Sequence, residues 1–180
     1  MAARPLPVLR RRGHNPMTAY TSTTALARIR AAEPCQDGWT KLLAGLGKTA
    51  ADDDHLALQT ILDINGLDDA LWVMSYAMPD DRLARHFQAW CAEQVLHMFE
   101  AERPDDPRVR EQIAMLRNDA ASNDDRAAAA AAAWDAAGDA AGAAAWAAAK
   151  DAAGAAAWAA AAAGARDAQE RQLRLMLAMP

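Results

Sequence analysis

Two histidines and two carboxylates recur along one stretch of this chain with helical spacing. At 3.6 residues per turn, His86, Trp90, Glu93, His97 and Glu100 share a stripe about 80° wide. Imidazole and carboxylate are common metal ligands, and the same groups can relay protons. The spacing argues against a metal. Carboxylate-metal bundles use Glu-x-x-His from paired helices, whereas His97 follows Glu93 by four residues and no second ligand set accompanies it. We therefore read the stripe as the solvated or interhelical polar edge of an amphipathic helix. Cys91 falls on the apolar side, so a buried inert thiol fits it better than a nucleophile paired with His86 or His97. The two cysteines, Cys35 and Cys91, form neither a disulfide framework nor a paired zinc spacing, which fits a reducing cytoplasm. The sequence holds no P-loop, dinucleotide-binding glycine pattern, G-x-S-x-G or H-E-x-x-H motif. The expectation is a protein that is not an enzyme, with no catalytic residue, no metal and no cofactor.

The remaining charge clusters suggest contact with another molecule. Asp52, Asp53 and Asp54, and then Asp68 and Asp69, can complement the positive ends of helices or form an acidic patch facing a basic toxin or nuclease groove. Both roles are compatible. The chain carries 24 acidic and 19 basic residues, a net charge of −5. Residues 1–16 contain Arg4, Arg10, Arg11, Arg12 and three prolines but no acid, and they read as a disordered basic arm. Met17 opens a different composition, so residues 1–16 can be read as an upstream extension ahead of an alternative start at Met17. Without the arm, 15 basic residues face 24 acidic ones, which argues against direct nucleic-acid binding and favours a basic protein surface as partner.

Helix signals follow one another from Thr18 onward, and no strand pattern competes. Ser22 to Thr24 can cap a helix through Leu26 and Ile29 that ends at Pro34. Asp37 caps the next, which carries Trp39, Leu42, Leu43 and Leu46 and stops near Gly47. Asp52 to Asp54 then form the acidic start of a helix with Leu58, Ile61 and Leu62, stopped by Asn65-Gly66. A helix from about Leu67 to Met78 stops at Pro79. Asp80 to Glu102 follows as the central core helix, with Leu83, Phe87, Cys91, Val95, Met98 and Phe99 on one broad apolar face. Asp106 and Pro107 start another helix, marked by Val109, Ile113 and Leu116. This front part, residues 17–120, is expected to be a compact helical bundle.

Residues 121–180 have a different composition. The chain contains 50 alanines, and 29 of them fall among the 42 positions from Ala127 to Ala168. Trp134, Trp146 and Trp158 repeat every 12 residues, which on one straight helix would turn successive indoles by about 120°. One unbroken helix from Asn123 to Met179 would extend roughly 85 Å, against a radius of gyration of about 16 Å for a compact chain of this length. We expect a bent alanine-rich hairpin, with the bend at Gly138 and Gly142 or between Lys150 and Gly154. The 12-residue drift disfavours ice binding, which leaves tolerated low complexity or partner binding through the tryptophans. Leu173, Met176 and Leu177 are expected to dock the last segment on the bundle. Such hairpins can also pair between chains, so a homodimer is expected. Asp135, Asp139, Lys150 and Asp151 interrupt the tail, which disfavours a membrane span and suits a cytoplasmic protein.

Residues Gly66-Leu67-Asp68-Asp69-Ala70-Leu71-Trp72 resemble a bacterial and phage family of immunity proteins (Imm5-like) that accompany polymorphic toxins. The likeness continues through Asp81-Arg82, Arg85 to Phe87, Cys91-Ala92-Glu93, Val95 to Glu100 and Pro104 to Arg108, and covers most of residues 35–180. It implies an all-α, non-enzymatic inhibitor that neutralises a bacterial toxin or effector protein by binding it. The contact residues expected here are Asp52, Asp53, Asp54, Asp68, Asp69, Trp134, Trp146 and Trp158. The alternative is a phage-encoded anti-defence protein, such as an anti-CRISPR, whose acidic surface occupies a nucleic-acid-binding effector.

Overall fold

In a computed structural model, the structure describes residues 20–133 and 154–179. The basic arm, Met17, Trp134, Trp146 and both proposed bends before Gly154 lie outside the described residues, and so does the Trp158 side chain. The described chain is all-α apart from one short strand pair. In order, the helices are α1 (Leu26–Ala31), α2 (Gln36–Leu46), α3 (Leu58–Asn65), α4 (Leu67–Tyr76), α5 (Arg82–Glu102), α6 (Arg108–Arg117), a run over 123–133 (α7) and α8 (Gly154–Leu177).

Local chemistry sets several of these boundaries. Gly47 ends α2 in the left-handed conformation, φ 64°, that glycine adopts at little cost. Gly66, at φ 93°, ends α3 and immediately precedes α4. The Asp106 carboxylate accepts the Arg108 N–H at 3.1 Å at the start of α6. Ser122 and Asp125 exchange side-chain and backbone hydrogen bonds in a capping box that opens α7.

Three starts differ from the sequence expectation. Ser22 to Thr24 do not cap α1, whose N-cap is Ala25 with no side-chain bond. Thr23–Thr24 (β1) instead pairs antiparallel with Leu56–Ala57 (β2), Thr23 opposite Ala57 and Thr24 opposite Leu56. The Thr24 hydroxyl is buried and donates to the Ala77 carbonyl, so tertiary contact replaces the local cap. Asp37 lies in the first turn of α2, while Cys35 is the N-cap and its Sγ accepts the Gly38 N–H at 3.4 Å. Asp52 to Asp54 lie before β2, ahead of the start of α3 at Leu58, so they do not form that helix's first turn.

The core lies among α1 to α4, the first half of α5 and the end of α8. Leu26, Ile29, Leu58, Ile61, Leu62, Leu83 and Leu173 are its most deeply buried large side chains. Met176 joins it, and Leu177 packs at its edge. The apolar face expected along all of α5 divides in two. Leu83 and Phe87 are buried, but Val95 is 55% exposed and Met98 54%. Among the described residues, no helix is long and apolar enough to cross a membrane.

Candidate functional site: an acid-rimmed groove

A cavity of about 280 Å³ opens beside α2 and α4. Ile29, Leu42, Ile61 and Val73 supply aliphatic lining, and Trp39 and Trp72 supply indole rings. Trp39 is buried, while Trp72 is half-buried and contacts the exposed Tyr76 ring at 5.6 Å. The polar lining comes from Cys35, Asn65, Asp68 and Asp69. Leu67 to Trp72 is helical, so one short segment brings both acids and an indole to the cavity.

The inner acid is held from two sides. Asn65 donates from Nδ2 to Asp69 Oδ2 at 2.6 Å and to the Gly38 carbonyl at 2.8 Å. Two acceptors fix the orientation of that amide. Asn65 Oδ1 is then left buried, with no hydrogen-bond partner among the described residues. A Cβ at position 38 would stand 2.7 Å from Asp69 Oδ2, so Gly38 lets the carboxylate approach α2. Asp68 is the outer, exposed acid and pairs with Arg166 of α8.

The two acidic clusters therefore sit in different settings. Asp68 and Asp69 line the groove, whereas Asp52 and Asp54 hold Lys48 at 2.5 and 3.0 Å. The hydrogen bond that Lys48 donates to Asp52, and then the one it donates to Asp54, raises the Lys48 pKa. Asp53 is exposed beside them. Asp52 also accepts the Ala27 N–H through its backbone carbonyl at 2.8 Å, tying this loop to α1.

The His/Glu stripe of α5 is divided among other tasks. Glu93 pairs with Arg117 at 2.6 Å and Glu100 pairs with Arg110, both across to α6, while His97 is exposed. This is an interhelical polar edge. His86 sits in a separate cluster, hydrogen-bonded to Tyr20 Oη through Nδ1 at 2.9 Å, with Asp119 Oδ1 3.4 Å from Nε2. Burial lowers the His86 pKa, and Asp119 opposes that shift. Arg85 is 8% exposed; it donates to Asp81 at 3.0 Å, to the Leu116 carbonyl at 2.8 Å and to Asp119 at 3.1 Å. Arg82 donates to Asp119 at 2.7 Å and lies over the Tyr20 ring. Cys91 is half-buried against the core, and burial pushes its thiol pKa up. Among the described residues, no group of three or more His, Cys, Asp or Glu side chains is placed to hold a metal ion.

Sequence reasoning found Asp68 and Asp69 but missed Trp39, Trp72, Gly38 and Asn65 as their companions. The available signals were the Cys35-x-x-Gly38 start of α2 and the four-residue step from Asn65 to Asp69. No protein-family model, curated protein or solved structure matches the chain.

Proposed function

We propose that this chain neutralises a partner protein by binding it, as a toxin-immunity protein does, and that it works by occupancy rather than turnover. The observation that carries this reading is the groove, where two carboxylates and two indoles share one small concavity. Aromatic side chains supply large contact area at interfaces, and carboxylates select and steer a basic partner. The resemblance around Gly66 to Trp72 supports the same reading, because that segment supplies both groove acids and one of the indoles. A net charge of −5 favours approach to a basic toxin surface.

The test is co-expression with toxins encoded beside its own gene, with growth and complex formation as readouts. Restored growth and a stable complex on gel filtration are expected, with both weakened in the double variant Asp68→Asn, Asp69→Asn. Unchanged growth arrest together with no complex for any neighbouring toxin would overturn the proposal.

A further inference from the structure

We propose that the groove beside α2 and α4 seats an arginine side chain presented by the bound partner, and that Arg166 holds the outer acid until that side chain displaces it. The inference rests on the partner-binding reading above and names the chemistry of its anchor. The size of the groove comes first. At about 280 Å³ it falls just below the roughly 300 Å³ at which sites for drug-sized ligands begin, so it suits an inserted side chain.

The polar inventory selects a donor-rich occupant. Asp68 and Asp69 are acceptors, and the Asn65 amide N–H groups are already committed to Gly38 and Asp69. Among the described residues no Lys, Arg or His lines the groove itself, and Arg30 and Arg166 reach it only through Trp39 and Asp68. A guanidinium offers five N–H donors in one plane, can bond a carboxylate through two of them, and stacks on indole. An ammonium group is a compact, strongly hydrated point charge and does neither of the last two.

The chain's own arginines already make both kinds of contact. The Arg30 guanidinium carbon lies 5.6 Å from the Trp39 ring centroid. Arg166 pairs with Asp68 at the outer edge. Both partners of that pair are substantially solvent-exposed, and exposed ion pairs are weak, so a partner arginine that also reaches Asp69 and Trp72 can displace Arg166. Gly38 preserves the inner half of the seat by leaving room for the Asp69 carboxylate.

The test is an NMR titration of the full chain with Nα-acetyl-arginine amide, using the corresponding lysine and citrulline amides as controls. Citrulline keeps the length and shape of arginine but removes its charge. Saturable shifts are expected at the Gly38 amide, the Asn65 side-chain amide and the Trp72 indole N–H, with lysine about tenfold weaker and citrulline silent. Arg166→Ala should tighten arginine binding about threefold by removing the competitor. Asp68→Asn, at an exposed position that leaves the fold intact, should weaken it about threefold. Equal shifts with citrulline, or an affinity indifferent to Arg166→Ala, would overturn the proposal. Concentration-dependent self-association abolished by Asp68→Asn would also overturn it, identifying a second copy as the occupant. If toxin neutralisation survives while arginine amide produces no shift, this assignment falls and the immunity reading stands. If arginine binds but the chain neutralises no toxin, the seat stands and the immunity reading falls.

Discussion

The two halves of α5 bring two kinds of packing into one helix. Its first half places Leu83, Ala84, Phe87 and Ala89 in a buried setting. Its second half exposes Val95 and Met98 and meets α6 through the Glu93–Arg117 and Glu100–Arg110 pairs. Apolar burial is favourable at about 25 cal/mol per Å² and is insensitive to screening, whereas exposed ion pairs contribute roughly 0–1 kcal/mol and weaken in salt. Helical periodicity is continuous through both halves. Burial depends on which neighbours arrive, and the difference shows that periodicity alone does not locate a core.

The sharpest way to break this comparison is to truncate each half. Leu83→Ala or Phe87→Ala, at buried sites of the inner half, should cost about 2–5 kcal/mol by urea denaturation. Val95→Ala should stay within about 0.5 kcal/mol. A cost for Val95→Ala near that of the core variants would mean that the outer half of α5 is covered in solution.

Arg85 lies among the buried residues of the inner half. Burial works against its charge, but hydrogen bonds to Asp81 and Asp119 more than offset that and raise its pKa. Arg85→Met should cost about 2 kcal/mol in the same assay, below the 3–5 kcal/mol for a fully buried pair because Asp81 and Asp119 can regain water. A neutral or stabilising result would show that apolar packing alone suffices there.

The same cluster gives the inner half a pH dependence. Burial lowers the folded pKa of His86 below 6.5, so the unfolded chain takes up the proton first. The corresponding stability is present above pH 6.5 and is lost as pH falls from there through the folded value. Urea midpoints should therefore drop between pH 7.5 and 5.5 in the native chain and flatten over that range in His86→Gln. Asp119 acts lower on the scale: burial raises its pKa, but Arg82 and Arg85 outweigh that and hold it below 3.8. Its stabilisation is present above that pH and is lost as pH falls through the folded value.

The smallest effect belongs to the outer half. Glu93→Gln and Glu100→Gln should each cost less than about 1 kcal/mol at low salt, and the difference should disappear in 1 M NaCl. A salt-independent cost would show that these carboxylates do more than pair across the helices.

Much of the helical layout was legible because its signals are local. Gly47, Gly66 and Asp106 act through their own backbone conformation or through a side chain reaching two residues along, and a reader of sequence sees both. The strand pair was not legible, because Thr24 is recruited by Leu56 and Ala77, which lie far along the chain. Asp52 and Asp54 were misplaced for a related reason: Lys48 binds them ahead of the helix they were expected to start. The groove was half legible. Asp68 and Asp69 stand out as adjacent acids, but their joining with Gly38 and Trp39 depends on how α2 lies beside α4.

Gly66 has a consequence for how this chain can change. Because α3 and α4 meet with one residue between them, no slack absorbs an added or missing position. One residue inserted within α3 would turn everything beyond it by about 100°, carrying Asp68, Asp69 and Trp72 away from Gly38 and Trp39 while each helix could still form. Substitution can alter the groove one side chain at a time, but a change of length would dismantle it at once.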